Sequence, residues 1–65
     1  MTQAEIGKRI AEERKAQGIS IRELAEMAST STRAVQAVEK GWYNVGIDTY
    51  IKIAETLNLS IKVGN

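Results

Sequence analysis

The sequence predicts a small all-α fold of four short helices, ending in a short C-terminal β-strand. Three observations predict it. Thr2-Gln3-Ala4-Glu5 and Ser20-Ile21-Arg22-Glu23 are capping boxes, in which a hydroxyl and a carboxylate three residues on satisfy two orphan backbone donors reciprocally. Apolar residues then recur at helical spacing, as in Ile6 and Ile10 or the stripe Ile47, Tyr50, Ile51, Ala54 and Leu57. After Leu57 the period drops to two: Leu57, Leu59, Ile61 and Val63 alternate with Asn58, Ser60 and Lys62, the pattern of a strand.

The first helix is expected over residues 3–17, stopped by Gly18. The second runs over 20–28, with Ile19 placed to staple onto Leu24 and Ala25 small enough for close helix approach. Ser29-Thr30-Ser31 is a run of turn and cap formers. Ser31 caps the third helix, 32–40, which Gly41 ends and whose Val35 and Val38 face inward. Residues 42–46 form a loop. The fourth helix spans 47–57, with Asp48 in the first turn, where the helix dipole favours negative charge. The strand is expected over 58–63.

Composition narrows the function classes. The 65 residues, 43% of them hydrophobic, are expected to form a single domain, 1–65, near the size where one core is only marginally stabilising. There is no cysteine and no histidine. Disulfides, the usual zinc sites, thiol nucleophiles and histidine acid–base catalysis are therefore excluded, and no metal or cofactor is expected. No stretch approaches the roughly 20 apolar residues of a membrane span, and no signal peptide is visible, so a cytoplasmic protein with no membrane partner is expected. The net charge is only +1, so placement of the basic residues matters more than their sum.

Two constellations bear on function. Arg14 follows Ile6 and Ile10 at four-residue steps, and Glu39 follows Val35 by four, so both charges fall on inward faces. A lone buried charge is costly and a buried pair is tolerable, which predicts an Arg14–Glu39 ion pair between helices 1 and 3. On the opposite face of helix 3, Thr32, Arg33, Gln36, Ala37 and Lys40 cluster at 100° per residue, with no acidic residue among them. This is either an ordinary solvated face or a surface for base edges. Arginine can reach guanine O6 and N7, glutamine adenine N6 and N7, and threonine or alanine methyls the thymine methyl. Two short helices joined by a tight polar turn, the second with such a face, make a helix-turn-helix, the element that lays a helix in the major groove of DNA.

From residue 6 to residue 60 the chain resembles the lambda-repressor/Cro-type helix-turn-helix family, also called the xenobiotic-response-element family. Gly18-Ile19-Ser20, Glu23-Leu24-Ala25, Val35, Val38-Glu39-Lys40-Gly41, Asn44 and Ile53-Ala54-Glu55 carry the likeness. The resemblance implies a compact helical bundle with helices 2 and 3 as the reading unit. It places base contacts at Thr32, Arg33, Gln36 and Ala37. It places phosphate contacts at Ser20, Arg22, Ser31, Lys40, Tyr43 and Asn44. An Arg14–Glu39 pair is also common in the family. Four positions depart from the pattern: Ile21 stands at a typical phosphate-binding glutamine, Ser29 at a turn glycine, Glu13 at a frequent leucine, and Val45 at a usual proline. If the turn needs a positive φ, Ser29 is strained there by about 1 kcal/mol.

An isolated strand is not stable, so the alternating tail either frays or pairs with another chain, most simply across a homodimer through Leu59, Ile61 and Val63. Such a tail resembles that of the HipB-type antitoxins, which makes a toxin a candidate protein partner. In the loop, Trp42 either anchors on helix 4 with Tyr43 exposed, or one of the two touches a phosphate or another subunit. The expected function is sequence-specific binding of double-stranded DNA, at a pseudo-palindromic operator, by a homodimeric transcriptional regulator of the repressor kind. The rival expectation is an antitoxin or interaction module whose main role is to bind a partner protein. An enzyme has no support: there is no inward-facing carboxylate pair and no glycine-rich phosphate loop.

Overall fold

The computed structural model describes residues 2–59, which fold into four helices: α1 Gln3–Ala16, α2 Ile21–Met27, α3 Thr32–Glu39 and α4 Ile47–Thr56. Their starts follow from side-chain caps. Thr2 accepts from the Glu5 N–H (3.2 Å) while Glu5 accepts from the Thr2 N–H (2.9 Å). Ser20 and Glu23 repeat the exchange at 3.0 and 2.9 Å. At α3 the Ser31 hydroxyl accepts from the Ala34 N–H at 3.0 Å. Gly46 starts α4 without a side-chain cap.

All four helices end the same way. The residue after each C-cap lies in the left-handed region: Gly18 (φ 70°), Ser29 (φ 55°), Gly41 (φ 74°) and Asn58 (φ 62°). The next residue's N–H then returns to a carbonyl five positions back: Ile19 to Arg14 (3.1 Å), Thr30 to Ala25 (2.8 Å), Trp42 to Ala37 (3.0 Å) and Leu59 to Ala54 (2.9 Å). This Schellman closure satisfies carbonyls that the helix end leaves orphaned. Ser29 thus occupies the strained turn position in which glycine has no Cβ penalty.

The closure of α4 corrects part of the expected strand. Asn58 and Leu59, its first two residues, terminate the helix, and Leu59 packs against the core of its own chain. Its alternation with Leu57 is the spacing that a left-handed helix stop also produces. The rest of that stretch, with Ile61 and Val63, lies outside the described residues. Among the described residues the fold is all-α.

The helices enclose one core of Ile6, Ile10, Leu24, Ala25, Ala28, Val35, Val38, Tyr50, Ile53, Ala54 and Leu57. Ile47, expected on the apolar stripe of α4, is instead 37% exposed, at the helix's first turn. Tyr50 is fully buried and its hydroxyl donates to the Trp42 carbonyl at 2.8 Å. Burial, then the nearby Tyr43, raises its pKa, so it stays a neutral donor. The hydrogen bond ties the loop after α3 to α4.

The seam between α1 and α3 is unusually close. A Cβ at Gly7 would run into the backbone carbonyl of Val38. One at Gly41 would come within 2.7 Å of Ala4 Cα. Glycine at 7 therefore permits the close approach of α1 to the end of α3. No helix among the described residues is long and apolar enough to cross a membrane.

Candidate nucleic-acid interface

The geometry of α3 divides its residues by role. Val35 and Val38 are fully buried. Thr32, Arg33, Gln36 and Lys40 are exposed. Among the described residues, no side-chain hydrogen bond within the chain holds Arg33 or Gln36. The helix start is clear of acidic side chains as well: none lies in its first turn.

Ala37 corrects the expectation that it belongs to this outward set. It is only 3% exposed and has no surface to offer a base. At the same turn the Trp42 N–H donates to the Ala37 carbonyl at 3.0 Å, closing the end of α3. A helical wheel drawn for α3 alone contains no such closure. Of the four residues expected at bases, Thr32, Arg33 and Gln36 are exposed.

The residues expected at phosphates all lie at the surface. Ser20 and Arg22 are exposed at the start of α2, Ser31 at the cap of α3, and Lys40, Tyr43 and Asn44 at its far end and in the loop beyond. Ser20 and Ser31 use their oxygens as acceptors in the caps, which leaves each hydroxyl proton to donate outward. Glu23 is held below the usual carboxylate range by the hydrogen bond from the Ser20 backbone, so the start of α2 carries a fixed negative charge next in the chain to Arg22. Lys40 is positioned by Trp42, whose ring centroid lies 4.9 Å from Nζ. Trp42 is itself half-exposed, and Tyr43 is 81% exposed.

Arg14 and Glu39 join α1 to the end of α3. Arg14 Nε donates to Glu39 Oε2 (2.7 Å) and a terminal nitrogen to Oε1 (3.2 Å), a bidentate fork. The remaining guanidinium nitrogen donates to the Ile19 carbonyl at 2.8 Å, just before the cap of α2. One arginine thus joins α1, the entry to α2 and the end of α3. Both side chains are 11% exposed. Gly7, the other element of this seam, escapes sequence reading because a glycine within a helix gives no sign of what lies opposite it. Among the described residues no group of acidic side chains is arranged to hold a metal ion.

No curated protein matches the chain significantly. A comparison with protein families, in contrast, matches residues 10–63 to the helix-turn-helix family, and that span contains the second half of α1, the whole α2–turn–α3 unit and α4. The match covers most of the 65 residues. It identifies a domain of the DNA-binding, transcription-regulator type, in accord with an exposed, carboxylate-free start to the second helix of the motif. The chain belongs to the Cro/C1-type helix-turn-helix family.

Proposed function

We propose that this domain binds double-stranded DNA in a sequence-specific way, as a homodimeric regulator that represses by occupying a pseudo-palindromic operator. The observation that carries the reading is the outward face of α3, where Thr32, Arg33 and Gln36 are exposed on a helix whose end the Arg14–Glu39 fork joins to α1. Arg33 takes the guanine edge, Gln36 an adenine edge, and the Thr32 methyl a thymine methyl. Ser20, Arg22, Ser31, Lys40, Tyr43 and Asn44 position the helix through phosphates, which sets register without carrying sequence information. Twofold symmetry places the two α3 helices in successive major grooves, with half-site centres about 34–36 Å apart.

Selection of bound duplexes from a random pool tests this, with an Arg33→Ala variant in parallel. The expected outcome is a palindrome enriched by the wild type and a lost or altered preference at one position of each half-site in the variant. An unchanged preference in the variant rules out Arg33 as a reader. No enrichment at low salt favours the second reading, a module that neutralises or modulates a protein partner. Two observations support that second reading: Ile21 offers no donor at the start of α2, and Tyr43 and Trp42 present aromatic surface beside the reading helix.

A further inference from the structure

The segment between α3 and α4 has little backbone pairing of its own. Among the described residues, no backbone hydrogen bond is donated from residues 43–46. Its exposed pair, Tyr43 and Asn44, is nevertheless bracketed by two carbonyls that side chains of other helices hold. On one side the Tyr50 hydroxyl of α4 donates to the Trp42 carbonyl at 2.8 Å. On the other the Gln3 side-chain amide of α1 donates to the Val45 carbonyl at 3.0 Å, across 42 positions of sequence. We propose that Gln3 and Tyr50 are positioning residues for DNA binding, which hold the Tyr43–Asn44 tip in the shape in which it meets the duplex. The proposal rests on the reading above, in which the tip touches DNA, and adds the residues that order it.

Three features argue for this role. First, the two anchors grip opposite ends of the tip, so a span with no backbone ladder is fixed at both ends. Second, the anchors are themselves fixed. Tyr50 is fully buried. Gln3 is the first residue of α1, whose start the Thr2–Glu5 capping box holds. The next residue, Ala4, lies so close to Gly41 that a Cβ there would come within 2.7 Å of its Cα. The first turn of α1 is thus packed against the start of the loop and bonded to its end. Third, both anchors take main-chain carbonyls and leave the Tyr43 and Asn44 side chains exposed. A loop that orders only on binding loses its conformational freedom at that moment, at the expense of affinity. A loop held from α1 and α4 has lost that freedom already in folding.

The test uses two variants that keep the net charge. Gln3→Met retains a straight side chain of similar helix propensity and removes the donor. Tyr50→Phe retains the ring and removes the hydroxyl. Trp42 is the single tryptophan of the sequence, so its fluorescence anisotropy reports on the loop in the free protein. In both variants the anisotropy should fall, while circular dichroism shows the helices intact. Affinity for the selected duplex should fall about threefold to tenfold per half-site. The loss should be equal on cognate and unrelated duplexes, because the tip positions the domain and α3 reads the sequence. In a Tyr43→Ala, Asn44→Ala background, Gln3→Met should cost no further affinity, since the anchor acts through the tip. Wild-type affinity in Gln3→Met, a loss that persists in the alanine background, or a changed preference among bases overturns this proposal alone. Should Tyr50→Phe lose its fold, Gln3→Met decides the matter by itself. An alanine pair that binds as tightly as the wild type removes the tip from the interface, and this inference with it. A wild type that binds no duplex overturns the DNA-binding reading as a whole.

Discussion

The two faces of α3 are built under different constraints. The inward face is specified from all sides: Val35 and Val38 are fully buried, the Val38 carbonyl bears directly on Gly7, and Glu39 is clamped by Arg14. The outward face, with Thr32, Arg33 and Gln36, is bound to nothing among the described residues. The difference teaches where selection can act. Residues on the inner face answer to stability and leave little latitude. Those on the outer face could be exchanged with little effect on the fold, so their identity reports on what the domain meets.

The sharpest way to break the inner face is Gly7→Ala. The new Cβ collides with a backbone carbonyl, which cannot rotate away as a side chain could. Overpacking of this kind costs about 3 kcal/mol, and the whole stability of a domain this small is of order 5 kcal/mol. Chemical denaturation should find a largely destabilised protein. Near-wild-type stability would mean that α1 and α3 can slide apart, and that the seam does not set the orientation of α3.

Glu39→Ala is the next largest. It strips Arg14 of two of its three hydrogen bonds and leaves the Ile19 carbonyl as its single partner. Breaking a fully buried pair costs about 3–5 kcal/mol and losing an exposed one under about 1 kcal/mol. With both side chains 11% exposed, a loss of about 2–3 kcal/mol in urea unfolding is expected. A loss below about 1 kcal/mol would show that water already satisfies the pair.

Arg33→Ala sharpens the comparison from the other side. It should leave the melting temperature almost unchanged, since exposed substitutions of this kind stay within about 0.5 kcal/mol. Discrimination at one base pair should fall by about 1–3 kcal/mol. Titration of matched and mismatched duplexes, read beside a thermal melt, separates the two effects. A destabilised variant with intact discrimination would reverse the roles assigned to the two faces.

How much of this was legible in the sequence depends on whether the cause is local. Each observed helix bound lies within one residue of the expected one, and for α1 to α3 the cause is local: hydroxyl caps and the left-handed stops at Gly18, Ser29 and Gly41 act over four or five residues. The Arg14–Glu39 pair followed from placing two charges on core faces. What failed depends on a neighbour. Ala37 reads as outward on an isolated wheel and is buried in the folded chain. Leu59 reads as a strand residue and completes a helix stop. Gly7 carries no signal, since the carbonyl it admits is 31 positions away in the chain.

The turn between the two helices of the motif offers a smaller effect of opposite sign. Ser29 holds φ 55° with a Cβ that glycine would lack. Ser29→Gly relieves about 1 kcal/mol of strain, partly offset by the greater freedom of glycine in the unfolded chain. A net gain of about 0.5 kcal/mol in unfolding free energy is expected, with affinity for DNA unchanged. A net loss would mean that the serine hydroxyl, or the stiffness it lends the turn, outweighs the strain.

The smallest effect concerns the two capping boxes, which start the helices on either side of α3. Glu5 and Glu23 are each held below 4.5 by the backbone N–H of their cap residue, Thr2 and Ser20. A carboxyl whose pKa is lower folded than unfolded binds fewer protons in the native state. Its contribution is complete above the unfolded value and is lost as pH falls through the folded one. Stability should therefore decline on the acid side, below about pH 4.5. Glutamine at both positions preserves the reach back to the cap but cannot titrate. The Glu5→Gln, Glu23→Gln double variant should thus match the wild type in melting temperature more closely at pH 3 than at pH 7. An acid-side slope identical in the two proteins would place the titrating groups elsewhere, and would reduce the capping carboxylates to hydrogen-bond acceptors whose charge is immaterial to the fold.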